Sequence, residues 1–192
     1  MGVPKAGPEM ALEGGAIIVD GHLLRGAAGF GGEIGHINVV PGGRPCGCGL
    51  RGCLERYSAG TALGVNGWEL AQFRPAYAAR IIELSGGNPE HISGKAVTAA
   101  AREGDPAALE CYEQLTHWLG VGLADMCALL DPEVIVIAGG LAEAGDILLT
   151  PARKAFNANL TAGTHRPAIP VVLAEGGQEA GLVGAADLAR QP

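Results

Sequence analysis

His36, Cys46, Cys48 and Cys53 are the residues of this chain whose types and spacing most plainly point to chemistry. They follow the pattern His-x9-Cys-x-Cys-x4-Cys, and three thiolates with one imidazole this close together match a closed tetrahedral zinc site. Glycines and Pro45 between and beside the cysteines let a short loop bend the sulfurs toward one point. A disulfide or plain reduced thiols are the competing readings. A Cys-x-Cys pair is awkward to bridge, and an intracellular chain disfavours disulfides. With four protein ligands the ion keeps no open position, so its expected role is to organise the loop rather than to activate water.

Two carboxylates flank this cluster. Glu33 lies in Gly32-Glu33-Ile34-Gly35-His36, and Glu55 follows Cys53 by two residues. Folding the loop around a metal would bring Glu33, His36 and Glu55 to one rim. Carboxylates accept strong hydrogen bonds and a metal-bound imidazole keeps its second nitrogen, so such a rim suits adjacent hydroxyls of a sugar. Spacing alone leaves open that these are ordinary solvated glutamates.

The elements that must position these residues can be read on either side. Gly14 to Leu24 reads as a hairpin turning at Asp20-Gly21, and Ile37 to Val40 as a short strand ending at Pro41-Gly42-Gly43. Residues 59–84 look helical with a break near Pro75. Ser93 is placed to cap a helix to Arg102, and Asp105-Pro106 to start a long one to Leu130. Leu109, Tyr112, Leu115, Leu119, Leu123, Met126 and Leu130 form its apolar stripe, and Cys111 and Cys127 read as buried small apolar residues. Val134 to Ala138 is a continuous apolar run, expected of a strand covered on both faces. Gly139-Gly140 then gives a strand-to-helix turn, followed by a helix from Pro151 to Leu160, a strand from Ile169 to Ala174 and a closing helix from Glu179 to Ala189. Hairpin strands followed by helices alternating with apolar strands indicate an α/β fold with a mixed sheet packed against helices.

Composition bounds the function. With 20 acidic against 13 basic residues the formal charge of −7 argues against nucleic acid or an anionic membrane as partner. No apolar run approaches a membrane span, and residues 1–13 lack the pattern of a signal peptide, so the cytoplasm is the expected compartment.

The Gly32–His36 motif, the Cys46–Glu55 segment and the run from Leu130 to Gly140 occur in order. Together they resemble the ROK family of repressors and sugar kinases, most closely its bacterial glucokinases, over about residues 14 to 190. The resemblance implies the C-terminal lobe of the actin-like ATPase and sugar kinase fold, with residues 1–13 an unmatched leader and 14–192 the lobe. It implies zinc on His36, Cys46, Cys48 and Cys53, hexose hydroxyls on Glu33, His36 and Glu55, and the adenosine of ATP beside Gly139 and Gly140. It also implies a homodimer, and for the complete protein MgATP-dependent phosphorylation of glucose at its 6-hydroxyl.

Family kinases carry an Asp-x-Gly-x-Thr phosphate loop and an Asn-Asp pair whose aspartate is the general base, and neither occurs in this sequence. Met10-Ala11-Leu12 stands where the family usually shows Gly-Thr-Gly. The expectation is therefore a truncated sugar- and zinc-binding lobe, inactive alone, with no catalytic residue assigned. The alternatives are the sugar-sensing lobe of a ROK repressor and an inactive zinc-bearing remnant.

Overall fold

A computed structural model describes residues 14–175; the expected closing helix, Glu179 to Ala189, lies outside them. The chain opens with a small antiparallel hairpin, β1 (Ile18–Val19) and β2 (His22–Leu23), in the register Ile18 to Leu23 and Val19 to His22. Asp20 and Gly21 both take positive φ, at 51° and 77°, which is the twist a two-residue hairpin turn requires.

Helices follow. α1 (Glu55–Ser58) and α2 (Gly60–Phe73) lead to α3 (Ala79–Leu84), with the break near Pro75 where expected. α4 (Gly94–Arg102) is capped by the Ser93 hydroxyl, which accepts from the Ala96 N–H at 3.3 Å. α5 (Pro106–Leu130) is capped by Asp105, whose Oδ1 accepts from the Ala108 N–H at 2.9 Å, and it ends at Asp131 in the left-handed conformation. These caps satisfy amide groups that a helix start leaves without intrahelical partners.

α5 runs through the middle of the structure and serves two apolar cores. Its first half meets α2, α3 and α4 through Leu63, Ile81, Val97, Cys111, Tyr112 and Leu115, all essentially buried. The Tyr112 hydroxyl pairs with Thr98 Oγ1 at 2.8 Å, so its burial strands no polar atom. The second half of α5 packs Leu123 and Cys127 against Leu149, Phe156 and Val171, and Leu119 touches both cores. Leu109 and Leu130, at the ends of the expected stripe, are exposed. α5 lies close to α6 because Gly120 carries no side chain; a Cβ there would stand 2.5 Å from the Ala155 Cβ and 2.6 Å from the Phe156 nitrogen.

Beyond α5, β3 (Ile135–Ile137), α6 (Asp146–Asn159) and β4 (Val171–Leu173) form a β-α-β unit with parallel strands, Ile135 opposite Val171 and Ile137 opposite Leu173. This is an α/β fold; among the described residues the strands form two separate two-stranded sheets, one antiparallel and one parallel, rather than one mixed sheet.

Three local expectations are corrected. β3 is covered on one face only among the described residues: Ile135 and Ile137 pack inward while Val134 and Val136 are 48% and 56% exposed, as strand alternation dictates for a one-sided sheet. Ile37 to Val40 forms an isolated bridge, Asn38 to Cys53, because the neighbouring chain turns into the cysteine loop instead of running alongside. α6 starts at Asp146, upstream of Pro151, since Leu148 and Leu149 are drawn into the cores and fix the first turn there. No helix among the described residues is long and apolar enough to cross a membrane.

Candidate functional site

The cysteine loop is a folded-back segment held by its own backbone. The Cys46 N–H donates to the Leu50 carbonyl at 2.9 Å and the Gly49 N–H returns to the Cys46 carbonyl at 3.1 Å, closing a turn around Cys48. Gly52 is the hinge: its N–H donates to the Arg44 carbonyl and its carbonyl accepts from the amides of Val39 and Val40. Only glycine fits, since φ is 84° and a Cβ would lie 1.8 Å from the Val40 oxygen. The Leu54 N–H then bonds the Ile37 carbonyl at 2.9 Å, which sets Cys53 beside the short helical turn Ile34–His36.

This backbone brings His36, Cys46, Cys48 and Cys53 together, with one ligand atom from each lying within 4.8 Å of all the others. Cys46 Sγ is 3.5 Å from His36 Nδ1, and Cys48 Sγ is 3.6 Å from Cys53 Sγ. For a tetrahedral zinc with sulfur at about 2.3 Å and nitrogen at about 2.0 Å, the edges are about 3.5 Å for nitrogen to sulfur and about 3.8 Å for sulfur to sulfur. The arrangement therefore fits the ion. All five cysteines are free thiols.

The metal-free thiols are unequal. Burial, reinforced by a hydrogen bond to Glu55, pushes Cys46 up to about 12. Burial also raises Cys53, whereas the Leu50 N–H directed at Cys48 lowers that exposed thiol.

A carboxylate lies on each side of this cluster. Cys46 Sγ donates to Glu55 Oε1 at 2.9 Å, and Glu55 is only 8% exposed at the head of α1. On the other side His36 Nε2 is 4.0 Å from Glu33 Oε2, so Nδ1 faces the sulfurs while Nε2 faces the more exposed Glu33. Glu33 and Glu55 thus stand on either side of the cluster formed by His36 and the three cysteines. Gly139 and Gly140 belong to a different segment, the turn after β3; Gly139 has φ of 86°, and among the described residues nothing lies within 4 Å of a Cβ added at either position.

A clamp that was not anticipated from sequence fastens the loop to the helices. Arg44 donates through Nη1 to the Arg56 carbonyl at 3.0 Å, and through Nη2 to Asn66 Oδ1 at 3.0 Å and Glu69 Oε2 at 2.9 Å. Its backbone N–H donates to the Tyr57 hydroxyl at 2.7 Å, and its guanidinium lies over the Tyr57 ring. Beside the clamp opens a cavity of about 410 Å³ lined by Arg44, Tyr57, Asn66, Glu113, His117 and Trp118; neither carboxylate of the rim nor His36 lines it. The only signal in the sequence was an arginine inside a Gly-Pro-Cys loop, and its partners Asn66 and Glu69 lie on a helix more than 20 positions away.

Known proteins place this geometry. The glucokinase of Streptomyces coelicolor is 45% identical over 179 residues, which are 93% of this chain and 56% of that protein. The crystal structure of a ROK family glucokinase from Streptomyces griseus in complex with glucose and AMPPNP superposes with a TM-score of 0.89 at 45% identity, covering 93% of this chain and 57% of that one. A ROK family transcriptional regulator, a homologue of the E. coli MLC protein, superposes with a TM-score of 0.62 at 32% identity, covering 83% of this chain and 38% of that one. The chain spans about half the length of the curated relatives it matches. The ROK family model matches residues 13–192, nearly all of the sequence and the whole of the cysteine loop with its flanking carboxylates, and the chain belongs to the ROK family.

Proposed function

We propose that this chain is the sugar-holding, zinc-bearing lobe of a glucokinase. His36 Nδ1, Cys46, Cys48 and Cys53 would hold zinc, which supplies a fixed tetrahedral centre and no open position for chemistry. The observation that carries the reading is that the two carboxylates flank the cluster of His36 and the three cysteines, with Glu33 Oε2 4.0 Å from His36 Nε2 and Glu55 Oε1 2.9 Å from Cys46 Sγ. The 4.0 Å gap between His36 Nε2 and Glu33 is too long for a direct hydrogen bond and suits a hydroxyl that accepts from one and donates to the other. Glu55 is held by a helix whose Tyr57 is buried and tied to the loop, so its carboxylate is presented with little freedom. The turn at Gly139 and Gly140, with no described residue within 4 Å of an added Cβ, would lie beside the adenosine of ATP.

In the complete enzyme these residues orient the hexose so that its 6-hydroxyl meets the γ-phosphoryl group of MgATP. Phosphoryl transfer depends mostly on such positioning together with charge stabilisation. These 192 residues hold no Asn-Asp pair to take the hydroxyl proton. By itself the chain should bind glucose without phosphorylating it, acting in the cytoplasm and assembling as a homodimer in the family manner. The likeness to a ROK transcriptional regulator supports a second reading, a sugar-sensing lobe.

Calorimetric titration of the zinc-replete chain with glucose tests the first reading. Binding should occur and should weaken at least about tenfold in Glu33→Gln, the loss expected for a hydrogen bond to a charged group. Equal affinity in both proteins would remove Glu33 from the site, and no heat in either would leave only a zinc-bearing fold. ATP turnover on adding glucose to this chain alone would overturn its passive role.

A further inference from the structure

The four ligands of the loop are not equally protected. Cys53 is fully buried, Cys46 is buried and engaged with His36 and Glu55, and Cys48 is exposed at the tip of the turn. The exposed sulfur is also the one with a thiol neighbour at 3.6 Å, the buried Cys53. Such a pair, one thiolate reachable from solvent and a second poised behind it, is the arrangement that turns a transient oxidation into a disulfide.

We propose that Cys48 is a modification site for peroxide, with Cys53 as its resolving partner, and that their oxidation ejects the structural zinc. This rests on the zinc reading above. In the first step the Cys48 thiolate attacks one oxygen of hydrogen peroxide, the O–O bond breaks, and a sulfenic acid forms with release of hydroxide. In the second, the Cys53 thiolate attacks the Cys48 sulfur, an S–S bond forms, and a second hydroxide leaves. Two thiolates have together lost two electrons to the peroxide. The zinc keeps only His36 and Cys46 and dissociates as Zn²⁺. Cys53 rather than Cys46 is the resolving residue because its sulfur lies 3.6 Å from that of Cys48. Cys111 and Cys127 take no part, being buried in the two cores.

The site is reversible in principle, since a thiol reductant regenerates both ligands. Oxidation would also release His36 and slacken the loop between the two carboxylates, so sugar binding should fall with zinc loss and return on reduction.

The test treats the folded, zinc-replete chain with hydrogen peroxide and follows released zinc with a chromogenic chelator. Dimedone present from the start traps sulfenic acid, and a parallel sample without it is digested with trypsin. Cleavage after Arg51 and Arg56 separates Cys53 from the peptide carrying Cys46 and Cys48, so a disulfide between them links two peptides, and fragmentation identifies the partner. The expected results are release of about one zinc per chain, a dimedone adduct on Cys48, a Cys48 to Cys53 disulfide, and restored zinc binding after reduction. Zinc retained under peroxide, release without a disulfide, a first adduct on Cys46 or Cys53, or a linkage through Cys46 would each overturn the inference while leaving the metal site standing. A chain that carries no zinc before treatment would instead refute the metal site, and the inference with it.

Discussion

Arg44→Ala isolates how much of the site depends on fastening the cysteine loop to the helices. Asn66 is 3% exposed, and its oxygen loses a charged donor, at a cost of about 1.5–3 kcal/mol. The Arg56 carbonyl loses a second such bond of about 1.5 kcal/mol. The pair with Glu69, whose side chain is 43% exposed, adds at most about 1 kcal/mol after solvent screening. Because these bonds share one guanidinium they do not sum, and a net loss of about 3 kcal/mol is the expectation. For a chain of this length that lowers the melting temperature by roughly 6–12 °C. Arg44→Lys should recover only part, since an ammonium can serve Glu69 but cannot span Asn66 and the Arg56 carbonyl together. Thermal and denaturant unfolding of the three proteins, each with zinc saturating, gives the comparison. A loss below about 0.5 kcal/mol in Arg44→Ala, within the range of ordinary surface substitutions, would refute the clamp.

Two further outcomes follow from the loop itself. Gly52→Ala forces a side chain onto the Val40 carbonyl at positive φ and should cost above about 2 kcal/mol, read as a loss of roughly 30-fold or more in zinc affinity by chelator competition; unchanged affinity would show that the hinge is soft. Zinc must displace protons from Cys46, which sits at about 12 in the metal-free chain, and from Cys53, which burial raises above its ordinary value. Both are protonated near neutrality, so apparent affinity should rise at least about 100-fold per pH unit and fall as pH drops; a flat profile between about pH 6 and 8 would contradict the thiolate ligand set.

Much of this fold could be read in advance because its signals were local. Ser93 and Asp105 each sit three residues before the amide they cap, and Asp20-Gly21 carries its turn in its own backbone preferences. The grouping of His36 with Cys46, Cys48 and Cys53 was legible for a similar reason, three of the four falling within one short loop. What escaped were features decided by distant partners. Val136 looked like a doubly covered strand residue because an apolar run does not state how many layers will meet it. Pro151 looked like a helix start until the burial of Leu148 and Leu149 set the first turn upstream of it. Arg44 carried no visible role because its partners are on α1 and α2, and only folding brings them to the loop.

The central claim is that a zinc held by His36, Cys46, Cys48 and Cys53 presents the sugar rim. It is tested most directly by titrating glucose into one preparation at graded zinc occupancy, with the metal quantified in each sample. Glucose-binding capacity should track zinc content, reaching about one site per chain at about one zinc, with three sulfurs and one nitrogen in the X-ray absorption of the bound metal. Full glucose affinity in zinc-free protein, or none in protein carrying one zinc per chain, would contradict it.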